Sequence, residues 1–283
     1  MRPSDRCGAK RLCSVVALVV AIVACTNFGQ HAAAGSVPEI RPGVPAGYLQ
    51  TQALPDSLVL LPTPPPPGST ALGLDQEISG ADLALRNTPR WNLAAQDAVL
   101  AFPAAADTYS CSLGVRITAQ DTPHLYMLMR RAMVDASAST KRAKEHNMRA
   151  RPFAVNGQPS CTPKDEPDLR KNGAYPSGHA AIGWAWALIL AEIAPEQADA
   201  ILARGEAIAQ SRVICNVHWD SDVIEGRFMG AATVAVLHSN PAFVADLQSA
   251  KAELAAARAK GLKPTRDCKA EAAELAQQPL PPP

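Results

Sequence analysis

Apolar residues recur at intervals of three and four through six segments: Gln76–Leu100, His124–Met148, Ala180–Ile193, Glu196–Val213, Asp222–His238 and Phe243–Ala259. At 3.6 residues per turn such positions share one helix face, which must be buried against another element. Runs alternating at period two with β-branched residues are nearly absent, so there is little from which to build a sheet. The expected fold class is all-α, a single-domain helical bundle. Asp121-Thr122-Pro123 reads as a helix start, with Asp or Thr capping and proline in the first turn. Pro195 separates two helices and Pro241 begins another.

The ends of the 283-residue chain read differently. A basic start (Arg2, Arg6, Lys10, Arg11) precedes the apolar run Leu12–Ala24, and Ala32-Ala33-Ala34 offers small residues for cleavage. Residues 1–34 are therefore expected to be an export signal peptide. The run is too short for an ordinary transmembrane helix, and no later stretch is long and uncharged enough, so no membrane span is expected. Ile22-Val23-Ala24-Cys25 also resembles a bacterial lipobox, which would make Cys25 a lipid anchor; an incidental cysteine in a discarded leader is the competing reading. Residues 35–70, with Pro64–Pro67 in a row, are expected to form an extended arm packed loosely on a folded domain at 71–258. The tail 259–283, ending in Pro281-Pro282-Pro283, is expected to be flexible in the same way.

A net charge of +1 argues against a nucleic-acid binder, which would show a clustered basic face. Of seven cysteines, Cys7, Cys13 and Cys25 fall in the leader. Cys111, Cys161, Cys215 and Cys268 remain, an even number that an oxidising compartment could pair in three ways. No Cys-x-x-Cys or His-x-x-x-His spacing suggests a zinc site, and neither metal nor cofactor is expected.

Three short blocks supply the chemistry. Lys144 and Arg151 lie seven apart, which on one helix puts both cations on the same side, with Pro152 then stopping that helix. A solvated basic face that includes Lys141, Arg142 and Arg149 is the bland alternative. Pro176-Ser177-Gly178-His179 precedes an apolar helix, whose N-terminal amides can bind an anion while Gly178 admits close approach and Ser177 offers its hydroxyl. His179, beside that anion, could protonate a leaving alkoxide as an imidazolium. In the third block, Arg212 offers a planar fork for phosphoryl oxygens. His218 and Asp222 are four apart, so the carboxylate can hold one ring nitrogen and leave the other as a nucleophile. A phosphoryl transition state spreads negative charge over its equatorial oxygens, and charge-assisted donors are what it needs.

Lys-x6-Arg-Pro, Pro-Ser-Gly-His and Ser-Arg-x5-His-x3-Asp together resemble the signature of the type 2 phosphatidic acid phosphatase superfamily, to which the vanadium haloperoxidases are related. Cys111-Ser-Leu-Gly, Asp121-Thr-Pro-His-Leu-Tyr126, Lys144 through Phe153 and Ser211 through Asp222 resemble its bacterial class A non-specific acid phosphatases over roughly residues 70–245. That resemblance implies an all-α fold, a periplasmic location, homodimers and metal-independent hydrolysis of small phosphomonoesters. It implies His218 as the nucleophile that becomes phosphohistidine, Asp222 as its orienter and His179 as general acid, later base. Lys144, Arg151, Ser177, Gly178 and Arg212 would form the phosphate cradle. The chain departs from the pattern at Ala174 and Ala180, where serine and threonine are usual, and at Asn216, where glycine is common.

The same intermediate could pass its phosphoryl group to an alcohol in place of water. A vanadate-dependent haloperoxidase uses the same residue set but usually a much longer chain. A lipid phosphatase would need membrane spans around the motifs, and a phosphate-binding module would have no use for the His218–Asp222 pair. The leaving-group side of the site is expected to draw on 71–125 and 153–175. Trp184 and Trp186, inside an apolar helix, read as core rather than stacking platforms.

Overall fold

Proline and short polar side chains set where the helices begin. In the computed structural model, which describes residues 37–277, Asp56 caps α1 (Ser57–Leu60) and Ser69 caps α2 (Thr70–Asp82), each accepting a first-turn N–H. Thr88 does the same for α3 (Pro89–Gln96). The single segment expected over 76–100 is thus two helices, broken at Asn87, whose φ of 63° is left-handed. After α4 (Ser110–Leu113) comes α5 (Pro123–Ser139), which starts where the Asp-Thr-Pro signal put it. Its cap is not local, however. Thr122 bonds back to Thr118, and the His124 and Leu125 amides donate to the Glu253 carboxylate at 3.2 and 2.9 Å.

The short helices α6 (Lys141–Asn147), α7 (Pro152–Asn156) and α8 (Glu166–Leu169) lead into α9 (Gly178–Ile193). Pro195 separates it from α10 (Ala198–Ile214), and α11 (Asp220–Leu237) and α12 (Pro241–Ala259) follow. α13 (Cys268–Leu275) comes last. Among the described residues the only sheet is the hairpin of β1 (Glu39–Arg41) with β2 (Val44–Pro45), so the fold is all-α as expected. No single helix among them is long and apolar enough to cross a membrane.

Helix α9 is apolar on nearly every side and forms the centre of the core, flanked by α10 and α11 and crossed by α5, which also packs on α12. Its contact with α11 is close because glycine removes the intervening side chain. A Cβ on Gly226 would lie 2.5 Å from the Ser177 carbonyl oxygen, and one on Gly230 2.5 Å from that of Ala181. Trp186 is core, 2% exposed, its indole N–H donating to the Met129 carbonyl at 2.8 Å. Trp184 packs against the same cluster.

The arm and tail are held more firmly than their composition suggests. The Tyr48 and Leu49 amides donate to Asp135 at 2.7 and 3.2 Å, and the Tyr48 hydroxyl to Asp246 at 2.7 Å. Ser57 Oγ accepts the Ala143 amide at 3.0 Å, and Pro62 O accepts the Tyr175 hydroxyl at 2.8 Å. In the tail, Cys268 bonds to Cys111 and opens α13. Proline content made both segments look loose, because single anchoring side chains leave no periodic pattern. The expected signal peptide 1–34, Cys25 and Pro281–Pro283 lie outside the described residues.

Candidate active site

Lys144 sits in the last turn of α6, which ends at Met148 in the left-handed region (φ 44°). Arg151 is therefore not on the same helix; it is the N-cap of α7, and Pro152 starts that helix instead of stopping α6. The two cations still converge. Lys144 Nζ donates to the carbonyls of Gly173 and Ala174 at 3.1 and 3.3 Å. Only glycine fits at 173, where a Cβ would lie 2.4 Å from the Lys144 carbonyl oxygen.

Arg151, 4% exposed, is fully engaged. Its Nε donates to Leu169 O at 3.0 Å and its Nη2 to Asn172 Oδ1 at 2.6 Å. Nη1 reaches Val217 O at 2.9 Å and His218 Nε2 at 3.1 Å. Arg212, in the last turn of α10 and 2% exposed, is the opposite case: its Nε and Nη1 are buried without a hydrogen-bond partner. Orphaned donors of a buried guanidinium are costly, and an anion in the adjoining cavity is what would satisfy them.

Helix α10 ends before His218, so Arg212 and His218 meet through a turn in which Val217 N and His218 N both bond to Arg212 O at 3.2 Å. Asn216 takes the left-handed conformation this turn requires (φ 64°), which explains why asparagine can stand where glycine is common. The Cys161–Cys215 disulfide braces it. His218 Nδ1 lies 3.3 Å from Asp222 Oδ2, which also accepts the Trp219 amide at 2.9 Å and so caps α11. Nδ1 therefore carries the ring proton, and the Nε2 lone pair faces Arg151 and the cavity.

The turn before α9 completes the site. Ser177 is fully buried and its Oγ accepts the Ala180 amide at 3.3 Å, so its hydroxyl is first of all a helix cap. His179 Nε2 lies 3.1 Å from the Ala98 carbonyl and must donate to it, which leaves Nδ1 to exchange a proton. Lys144, Arg151, Gly178, His179, Arg212 and His218 line one cavity of about 1300 Å³; Ser177 and Asp222 stand behind its wall.

Burial, then the neighbouring Arg151, Lys144 and Arg212, holds the His218 imidazole well below its ordinary value, so it is neutral. Burial, followed by Arg212, does the same to His179. The imidazolium expected at His179 belongs to the site with an anion bound, whose charge would offset these cations. Burial and then Arg151 lower Lys144. Burial also raises the Asp222 carboxyl, while Arg149 and the Trp219 amide oppose the rise.

With this geometry in place the comparisons are specific. The sequence profile of the PAP2 superfamily matches residues 124–244, which contain every site residue named above. A non-specific acid phosphatase of Providencia stuartii is 48% identical over 209 residues, covering 74% of this chain and 84% of that protein. An acid phosphatase of Zymomonas mobilis is 40% identical over 209 residues (74% and 79%). One of Salmonella typhimurium, again named non-specific, is 41% identical over 194 residues (68% and 78%). The chain belongs to the bacterial class A acid phosphatases of the PAP2 superfamily.

Two parts of this PAP2 site escaped the sequence reading. Arg149, set aside as a surface charge, donates to Asp222 Oδ1 at 2.6 Å and to Asp75 Oδ2 at 2.7 Å. Asp75 also accepts the Ser221 amide at 2.9 Å, tying α2 to the start of α11. The Arg149-x-Arg151 spacing gave no signal of this, since extended backbone would put both side chains on one face. The second is the cavity wall. Leu100–Phe102 and Leu169–Gly173 fall in the expected ranges, but Ile40–Pro45 of the arm and Tyr126, Arg130 and Met133 of α5 contribute as well.

Proposed function

We propose that this phosphatase hydrolyses small phosphomonoesters of broad range by two phosphoryl transfers, without a metal. In the first, His218 Nε2 attacks phosphorus, the P–N bond forms, the ester P–O bond breaks and His179 gives its proton to the leaving oxygen. In the second, water attacks phosphorus while His179 takes its proton, and the P–N bond breaks to release phosphate. One observation carries the reading. A neutral histidine, oriented by a buried carboxylate, turns its free nitrogen toward a cavity whose fixed cations include a guanidinium with unpartnered donors.

Arg151 shields the Nε2 lone pair at 3.1 Å, so the phosphate must draw that N–H to itself before His218 can attack. The incoming negative charge also offsets the cations that keep His179 neutral, so the acid gains its proton as substrate binds. Activity should therefore be bell-shaped in pH. The cavity has room for an acceptor alcohol, and transfer to one is expected as a side reaction. His218→Ala is expected to abolish release of phosphate from a chromogenic monoester in EDTA while circular dichroism stays unchanged. Retained turnover would remove His218 from the reaction, and loss of wild-type turnover in EDTA would remove the claim of metal independence.

Export to the periplasm belongs to the same proposal. It is supported by the leader-like residues 1–34 and by two disulfides, which an oxidising compartment preserves. The mass of the mature N-terminus, cleaved after Ala34 or acylated at Cys25, tests it; an unprocessed Met1 would contradict it.

A further inference from the structure

Behind the cavity, between α3 and α10, lies a buried ion network that the two transfers do not use. Asp97, 4% exposed, follows the last turn of α3. Its Oδ1 accepts Arg204 Nη2 at 2.5 Å, and its Oδ2 accepts Arg204 Nη1 at 3.1 Å and Ser211 Oγ at 2.6 Å. Arg90 closes the cluster, donating to Ser211 Oγ at 2.9 Å and to Ala207 O at 3.1 Å. Glu271 of α13 approaches Arg204 Nε at 3.5 Å. Burial alone would raise the Asp97 carboxyl, but Arg204, Ser211 and Arg90 together hold it below its ordinary value, so it is a carboxylate.

The chain neighbours of this cluster reach into the site. The residue after Asp97 is Ala98, whose carbonyl accepts His179 Nε2 at 3.1 Å. The residue after Ser211 is Arg212, with its unpartnered fork. We propose that Asp97 is a positioning residue for the phosphatase reaction: by clamping Arg204 and Ser211 it fixes the Ala98 carbonyl that orients His179. The same clamp holds the turn of α10 that presents Arg212. The carboxylate touches no reacting atom. It selects the His179 tautomer with Nε2–H bound and Nδ1 free, and it couples the acid to the phosphate cradle through one anchor. A carbonyl displaced by a fraction of an ångström turns the ring and misaims the proton, and such misplacement is costly in a general acid.

The inference rests on the phosphomonoesterase reading, and leaving-group dependence separates the two. An alkyl phosphate needs its leaving oxygen protonated; p-nitrophenyl phosphate, with a stable phenolate, hardly does. The readout is the ratio of kcat/KM for p-nitrophenyl phosphate to that for a simple alkyl phosphate, which reports only steps through the first transfer. His179→Ala should raise this ratio about 100-fold. Asp97→Asn should raise it about tenfold, in the same direction, on top of any loss common to both esters. Should Asp97→Asn fail to fold with Arg204 left unpaired, D97N/R204Q removes both charges and is expected to give the same rise. A ratio within about twofold of wild type in the folded variant, with the His179→Ala effect intact, overturns the positioning role and leaves the reaction standing. If His179→Ala itself leaves the ratio unchanged, the acid assignment and the inference fall together.

Discussion

At the scale of single residues, this site holds charge where folding alone would not put it. Arg212 keeps buried donors without partners, and both histidines are held neutral by burial and by the cations around them. Arg212→Met should therefore stabilise the unliganded protein by about 1 kcal/mol, since orphaned polar groups cost about that much or more. It should also weaken inhibition by inorganic phosphate about 30-fold, as the loss of a charge-assisted pair implies. Thermal melts with and without phosphate check both effects; an unliganded variant less stable than wild type would count against stored cost at this residue. The histidines give a pH signature of definite sign. Their folded pKa values lie below the ordinary 6.5, so on acidification the unfolded chain takes up protons first. The stability contributed by the neutral rings is complete above 6.5 and is lost below it, at about 1.4 kcal/mol per pH unit for each ring. His179→Gln should remove one ring's share of that slope in urea melts; an unchanged slope would mean that His179 is already charged.

At the scale of elements, the site depends on how closely α11 lies against the Ser177–His179 turn. That approach is set by Gly226, where a Cβ would meet the Ser177 carbonyl oxygen at 2.5 Å and the Ala180 Cβ at 2.9 Å. Gly226→Val should cost about 1–3 kcal/mol by overpacking and should lower kcat more than it raises KM, because it displaces His179 relative to His218. A folded variant with full kcat would show that the turn tolerates movement. Most long helices were legible, because their apolar positions repeat at helical spacing and Pro195 and Pro241 punctuate them. The left-handed breaks at Asn87 and Met148 were not, although asparagine is among the residues enriched at positive φ; at methionine it has no sequence mark. The latter break moved Arg151 off the helix that carries Lys144, yet the motif still converged, since the residue types were right even where the local geometry was not. Arg149 was missed because its partners Asp75 and Asp222 are 74 and 73 residues away.

At the scale of the whole molecule, one disulfide braces the turn that carries His218 and another ties the C-terminal helix to the body. Cys161–Cys215 closes a separation of 54 residues beside Asn216, and Cys111–Cys268 one of 157 that secures α13 and with it Glu271. Chain-entropy reasoning assigns them about 4 and about 5 kcal/mol. Reduction should therefore lower the melting temperature strongly, and C161S/C215S should cost more activity than C111S/C268S, because its loop ends next to His218. Equal activity in the two double variants would contradict that ranking. The arm, unreadable as structure in its prolines, proves to be a wall of the active-site cavity at Ile40–Pro45. The account as a whole stands on a covalent intermediate. Rapid acid-sparing quench of the wild-type enzyme with excess phosphomonoester, followed by mass spectrometry, measures it directly. The account predicts one added phosphoryl group, acid-labile and mapped to His218. A phosphoryl group on any other residue, or full turnover with no phosphorylated enzyme at any time, would contradict it.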